Sequence, residues 1–264
     1  MEPYTIHVAS TPSEQGYLMS ESERKGHATL HRDSRLLKAR KIVRLVGEAI
    51  FDTASRALEV GCGSGVISKA LHEVSAGKLE VHAVDVTDNR IETAGYAFQK
   101  VSGTDLPYPD GSFDIVITNH VIEHVGDRSD QFNHLKELKR VLKPNGVIYF
   151  AMPNKWRFIE PHYHIALLSW LPQPLSNSLV RLSGRGTYYD CRPLGIRGIR
   201  KLFNECGLDA RDSTVEALRA TLDIEHSNHP MTRLVNGFLP NWLLACGLPI
   251  MPTFVYLLKP EPLK

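Results

Sequence analysis

Ala57-Leu58-Glu59-Val60-Gly61-Cys62-Gly63-Ser64-Gly65 is the stretch on which the reading of this 264-residue chain turns. Ala57 to Val60 is mostly apolar and reads as a short buried strand. Three glycines follow at every second position, where a backbone without Cβ atoms turns sharply and lets a ligand come close. Val66 to Leu71 then carries apolar residues at helical spacing. Strand, glycine turn and helix in this order present backbone N–H groups to a nucleotide-like ligand. The spacing is G-x-G-x-G rather than the G-x-G-x-x-G of dinucleotide turns, and Val66 stands where the third glycine would be.

Glu59 lies two residues before the first glycine. With that acid in place, the turn resembles motif I of the class I S-adenosylmethionine (SAM) dependent methyltransferases, in the type 11 or ubiquinone-methyltransferase-like group. The resemblance implies that Gly61, Cys62, Gly63, Ser64 and Gly65 border the methionine part of SAM. It also implies that Glu59 binds near the ammonium, directly or through water. Downstream, Leu79 to Asp85 reads as a second strand, with Asp85 at its C-terminal end, where open α/β sheets bind ligands. A carboxylate about twenty residues past the turn can accept both ribose hydroxyls. Capping of a following helix, expected over Asp88–Ala94, is the other reading of Asp85. Val86 would then lie on the adenine.

Tyr96 to Val101 reads as strand three. The run Ser102-Gly103-Thr104-Asp105-Leu106-Pro107-Tyr108-Pro109-Asp110-Gly111-Ser112-Phe113-Asp114 is similar to the family's LPF-x-D-x-SFD segment. Many members carry an adenine-binding acid four residues before the Leu-Pro pair; here that position is Ser102. Three readings stand: contact from Ser102 itself, contact from the backbone of Gly103 and Thr104, or recruitment of Asp105. Strand four, Phe113 to Thr118, leads into Asn119-His120-Val121-Ile122-Glu123-His124. By resemblance this segment lies beside the sulfonium, with Asn119 offering its carbonyl to the ammonium and His120 bordering the cofactor. His120 and His124, four apart, share one face of a helical turn; they are the candidate general bases or substrate-orienting groups, with a satisfied polar histidine cluster as the other reading. The hexad also spells H-x-x-E-H, the inverted zinc-protease motif, but it abuts a strand end after a cofactor turn and lacks the long helix that motif requires. No metal is expected.

Helix 131–142, a Lys143-Pro144-Asn145-Gly146 turn and a fifth strand over Val147–Met152 complete the resembling region, which runs from Arg56 to Asn154. Strands alternating with helices imply a parallel sheet covered on both faces. The resemblance adds an antiparallel seventh strand. The fold expected is therefore α/β, a Rossmann-like seven-stranded mostly parallel sheet with inserted lid segments. Four parts follow: an arm and covering helix (1–51), the core (52–154), an apolar insertion (155–194), and a C-terminal completion (195–264) with a second insertion near 221–252.

In the first part, Ser22 to Phe51 reads as a helix whose Lys38, Arg40, Lys41 and Arg44 form a solvated face. By resemblance that helix covers the cofactor cleft, bringing Tyr17 and His27 toward the ligand. A helix over Gly195–Cys206, a sixth strand over Leu208–Leu218 and a closing strand over Thr253–Leu258 are expected at the other end.

Thirty-one basic against twenty-nine acidic residues leave a formal charge of +2, which is no polyanion footprint, so nucleic acid is not an expected partner. Cys62, Cys191, Cys206 and Cys246 are scattered and form no C-x-x-C pair, which argues against zinc or disulfides and suits a reducing cytoplasm. Met1 to Ser20 is polar and is not expected to be a signal peptide, and without an uninterrupted 18-residue apolar run no spanning helix is expected. Trp156, Phe158, Tyr163, Trp170 and Trp242 either pack together or form an apolar lid, with 156–182 and 239–251 as candidate peripheral membrane contacts. His162, His164, Arg185 and Arg192 offer the alternative of gripping an anionic acceptor group.

The function implied is transfer of a methyl group from SAM, leaving S-adenosylhomocysteine, to an O or N atom of a small-molecule, sugar-linked or lipid-linked acceptor. Two other classes stay open. One is an NAD(P)-dependent oxidoreductase built on the same strand–turn–helix unit. The other is a SAM-binding protein without transfer activity.

Overall fold

The computed structural model describes residues 31–261. Tyr17 and His27 lie outside the described residues. The chain opens with α1 (Arg32–Val46) and α2 (Glu48–Thr53), separated at Gly47, where φ is +103°. The single leading helix expected to Phe51 is therefore two. Its apolar side packs on the body of the domain, while Arg32 at its start pairs with Glu92. Ala39, Ile42, Val43 and Val46 bury against α3 (Val66–Val74) and one face of the sheet. The expectation of a solvated basic face fails at Lys41, which is buried. Its ammonium donates to Thr221 Oγ1 at 2.7 Å and pairs with Glu225 at 2.8 Å. A partner is what makes a buried ammonium tolerable.

Seven strands form one sheet in the order β3-β2-β1-β4-β5-β7-β6. They are β1 (Arg56–Val60), β2 (Glu80–Asp85), β3 (Ala97–Lys100), β4 (Phe113–Asn119), β5 (Leu142–Pro153), β6 (Leu208–Asp212) and β7 (Thr253–Pro260). All pairings are parallel except those of β7, which runs antiparallel to both β5 and β6. Side chains alternate across the pleat. Ile148, Phe150 and Met152 enter one core with α4 (Arg128–Val141) and α6 (Ile196–Glu205). Val147, Tyr149 and Ala151 enter the other with α1, α3 and α7 (Thr214–Glu225). This is the α/β sheet expected from the alternation of elements.

Four local expectations are corrected. No helix joins β2 to β3. The amides of Ile91 and Glu92 donate to the Ser64 carbonyl, and Asp88 holds Arg90 through both carboxylate oxygens, so the segment's polar groups bond outward rather than to one another. Second, α4 starts three residues before the expected Gln131, because Asp127 and Asp130 build a capping box at its N-terminus. Third, Lys143–Gly146 is absorbed into β5 as a register shift between the Phe113 and Ile115 pairings, not a separate turn. Lys143 there pairs with Asp114, whose carboxylate also accepts the amides of Ser55 and Arg56 at the start of β1. Fourth, the sixth strand stops at Asp212, which accepts the Thr214 amide and lets α7 begin.

Residues 155–194 are the first insertion after β5. It contains a 3₁₀ turn at Leu168–Trp170 and α5 (Gln173–Leu182), around a small core of Tyr163, Leu168, Val180, Tyr189 and Cys191. The second insertion supplies α8 (Pro230–Gly237) and α9 (Asn241–Cys246).

Candidate cofactor and acceptor site

The strand order reverses at β1, whose neighbours β2 and β4 lead away in opposite directions. Ligands of open α/β sheets sit outside the carboxyl ends of strands at such a point. Three segments meet there: the glycine turn after β1, Asp85 at the end of β2, and Asn119–His124 after β4.

The glycine turn is dictated by space as well as by backbone angle. At Gly61, φ is +76°, and a Cβ would stand 2.4 Å from a methyl of Val121. At Gly65, φ is +75°, and a Cβ would meet the Glu92 carbonyl at 2.3 Å. Any side chain at either position would push the turn away from the segments it touches.

Four of this turn's backbone amides, those of Gly61, Cys62, Gly63 and Gly65, are bonded within the protein, which corrects the expectation that they face a ligand. Gly61 and Cys62 both donate to the Val84 carbonyl, at 2.8 and 3.2 Å. Gly65 donates to the Cys62 carbonyl, and Gly63 donates to Asp85 Oδ2 at 2.8 Å. The β1–β2 pairing simply continues one step beyond the strands. A diphosphate would need these amides and would meet the Asp85 carboxylate among them. A ligand carrying positive charge and hydroxyl donors suits the place better.

Asp85 is half-buried, and its Oδ1 accepts the Thr87 amide at 3.1 Å. With no helix after β2, the alternative capping role disappears, and each oxygen keeps a further lone pair for a donor. Val86 is half-buried beside it. The Val101 amide donates to the Asp85 carbonyl at 3.0 Å, which sets Ser102 and Gly103, both exposed, and Thr104 next to the strand end.

Glu59 is 2% exposed, and its carboxylate accepts the Ser68 hydroxyl of α3. Burial pushes its acid up to about 7, opposed by the Ser68 hydrogen bond and the Arg35 guanidinium. Ser68 and Arg35 were not singled out in the sequence. Ser68 sits nine residues on, at an inward position of α3, and its pairing with Glu59 is fixed by packing.

After β4, the His120 amide donates to the Ala151 carbonyl at 2.9 Å, continuing the β4–β5 ladder, while His120 itself adopts φ +60°. A histidine held in the left-handed region is a local strain of the sort that clusters at functional sites. Asn119 is buried, and its Oδ1 has no hydrogen-bond partner among the described residues.

His120 and His124 do not sit on a helix. Residues 120–124 form a single turn, closed by the His124 amide on the Val121 carbonyl at 2.8 Å. The two imidazoles flank Glu123, His120 Nδ1 at 3.5 Å and His124 Nε2 at 3.9 Å from Oε1. Glu123 has a fully buried side chain and no hydrogen-bond partner for either oxygen among the described residues. Burial penalises its charge, but the adjacent imidazoles outweigh that penalty and hold it below the usual carboxylate range. The other nitrogen of His124, Nδ1, lies 3.7 Å from Cys191 Sγ. His124 and His162 meet edge to face, with centroids 5.0 Å apart.

The insertion's other candidates divide. Tyr163 is buried and donates to Asp190 at 2.8 Å. Arg185 donates to the carbonyls of Tyr163 and His164, so it braces the insertion rather than standing ready for an anion. Trp156, Phe158, Trp170 and Trp242 are all exposed, and Trp156 and Trp170 touch edge to face. Mutual packing therefore does not bury them.

The family model described as "Methyltransferase domain" matches residues 58–150, the span that holds the glycine turn, Asp85 and the post-β4 turn. Residues 58–150 are a class I SAM-dependent methyltransferase domain. Among relatives of this domain, the 27-O-demethylrifamycin SV methyltransferase of Amycolatopsis mediterranei is 28% identical over 114 residues, 39% of this chain and 40% of its own length. The fatty-acid O-methyltransferase of Mycolicibacterium smegmatis is 30% identical over 173 residues, 63% of this chain and 56% of its own. The chain thus spans about half the length of the curated relatives it matches. A Galdieria sulphuraria protein solved under the name sarcosine dimethylglycine methyltransferase shares the fold, with a TM-score of 0.52, 15% identity, and coverage of 89% of this chain and 95% of that one. Among the described residues no helix is long and apolar enough to cross a membrane.

Proposed function

We propose that this chain transfers a methyl group from SAM to an oxygen or nitrogen of a small-molecule acceptor with a substantial apolar part. The observation that carries the reading is the glycine turn, whose four donating amides are satisfied inside the protein, with the half-buried Asp85 carboxylate beside it at the end of β2 and Glu59 buried in β1 behind it. Such a place favours a sulfonium, an ammonium and ribose hydroxyls, and disfavours the diphosphate of a nicotinamide cofactor.

In this reading Asp85 accepts the ribose hydroxyls and Val86 lies against the adenine. Ser102, Gly103 and Thr104 border the adenine edge. Gly61, Cys62, Gly63, Ser64 and Gly65 wall the methionine part, and Glu59 and Asn119 attract its ammonium. SAM, when bound, supplies an already activated methyl, so the protein's task is alignment and exclusion of water. An acceptor carrying a proton also needs a base. His120 suits that part: its Nδ1 faces the Glu123 carboxylate, which leaves Nε2 for the acceptor and stabilises the imidazolium that forms. His124, the other base candidate, turns its Nδ1 toward Cys191 instead.

Support for an apolar acceptor comes from the exposed Trp156, Phe158 and Trp170 of the insertion, which adjoins the post-β4 turn, and from the fatty-acid O-methyltransferase among the relatives. A peripheral contact of 156–182 or 239–251 with a lipid surface belongs to the same reading. The test is transfer of labelled methyl from SAM to a panel of fatty acids, quinone-like phenols and amines. Labelled product with at least one class, lost in His120→Ala, is expected. SAM binding without transfer to any class would place the chain among SAM-binding proteins that move no methyl group.

A further inference from the structure

We infer that His124, His162 and Cys191 form a binding site for one zinc ion, which pins the 155–194 insertion to the turn after β4. The site goes beyond the methyl-transfer reading and does not depend on it.

The three candidate ligand atoms all lie within 4.8 Å of one another. Tetrahedral zinc, with bonds of about 2.3 Å to sulfur and 2.0–2.1 Å to nitrogen, holds such atoms about 3.6 Å apart. His124 Nδ1 and Cys191 Sγ already stand at 3.7 Å. Two imidazoles and a thiolate are a donor set that zinc prefers over magnesium or calcium.

The surroundings ask for a cation. Glu123 lies behind His124 with its side chain wholly buried, both oxygens without a hydrogen bond among the described residues, and Oε1 3.9 Å from His124 Nε2. A carboxylate on that side of the ring favours the proton on Nε2 and the lone pair of Nδ1 toward the metal, and a small closure to hydrogen-bond distance would let it orient the histidine. Glu123 also lines a cavity with Glu160, His162 and Cys191, narrow enough to admit little more than one water-sized atom. Glu160 is 3% exposed, and its carboxylate accepts the amides of His162 and Tyr163, which fixes the backbone that carries His162.

Two ligands come from the insertion and one from the core, so the ion would join them. The chain is prepared for that junction: the Arg192 amide donates to the Glu123 carbonyl at 2.7 Å, and Gln131 bridges the carbonyls of Ile122 and Arg192. On binding, the Zn–S bond forms as the Cys191 thiol loses its proton to solvent by way of Asp190, whose Oδ1 lies 3.5 Å from Sγ. The fourth position is left for a water or another oxygen donor.

The experiment uses the full chain, stripped with a chelator and titrated without SAM by zinc chloride and, for spectroscopy, by cobalt chloride. One equivalent of zinc is expected to bind and to raise the melting temperature. Cobalt is expected to give a thiolate charge-transfer band and the intense visible bands of a tetrahedral site. Cys191→Ser should abolish the thiolate band, and His162→Asn should weaken zinc by about 100-fold or more. Cys246→Ser, altering an exposed thiol far along the chain, should change neither. A wild-type protein that binds no zinc, or binds cobalt without a thiolate band, overturns the proposal. So does a folded Cys191→Ser protein that keeps the wild-type spectrum. Because wild type alone can give the negative result, a variant that does not fold leaves the test decisive. Failure here leaves methyl transfer untouched, and a chain inactive toward every acceptor can still hold the ion.

Discussion

The glycine turn at 57–65 and the His124–His162–Cys191 cluster lie near the same end of the sheet, yet they are encoded in opposite ways. The turn is local. Its backbone angles exclude side chains at Gly61 and Gly65, so the residue types follow from geometry and can be read directly. The cluster is assembled by the fold. His124 and Cys191 are 67 positions apart, and only the docking of the insertion on the post-β4 turn unites them. A spacing rule finds clusters whose backbone is special and misses clusters whose backbone is ordinary.

The largest effect that would sharpen this contrast belongs to the turn. Gly65→Ala sets a Cβ against the Glu92 carbonyl and the Tyr96 hydroxyl in a left-handed backbone. It should cost about 2–4 kcal/mol of stability in urea unfolding. A loss below about 0.5 kcal/mol would mean that the turn is looser than its contacts imply.

Next comes His120. If it takes the acceptor's proton, His120→Ala should lower kcat by about 10²–10⁴ while SAM affinity changes little. Unchanged turnover with a proton-bearing acceptor would remove the base. Asp85→Asn should weaken SAM by about 10- to 100-fold in calorimetry, the expected cost of losing charge-assisted hydrogen bonds of about 1.5–3 kcal/mol. Equal affinities in the two proteins would take the ribose role away from Asp85.

A smaller, pH-dependent effect belongs to Glu59. Its folded value of about 7 lies above its ordinary 4.5, so the native state keeps a proton that the unfolded chain has lost. Stability from this group is complete below about pH 4.5 and falls as pH rises through about 7. The whole loss is at most about 3 kcal/mol. Unfolding of Glu59→Gln should lack that slope. A variant profile parallel to wild type between those limits would assign the slope elsewhere.

The sheet, the glycine turn and the place of Asp85 at a strand end were legible because they rest on local rules. Alternating apolar strands, the glycine spacing and an acid at a strand end each leave their mark within a few residues. What escaped was decided between segments. Asp88–Ala94 has helical composition, but its amides are drawn to the Ser64 carbonyl. Lys41 looks like a surface lysine until α7 brings Glu225 to it. The inward direction of the turn's amides depends on the Val84 carbonyl and on Asp85, both on another strand. Glu123 was visible within H-x-x-E-H, yet its place between two imidazoles follows from the strained turn at His120, which no spacing rule reports.

Binding of SAM, S-adenosylhomocysteine and NAD to the full chain, measured side by side by calorimetry and thermal shift, tests most directly whether this turn receives a sulfonium nucleoside. The expected result is heat and stabilisation with SAM and S-adenosylhomocysteine, reaching about 2.7 kcal/mol at a hundred times Kd, and none with NAD. Stabilisation by NAD with no response to SAM would contradict it.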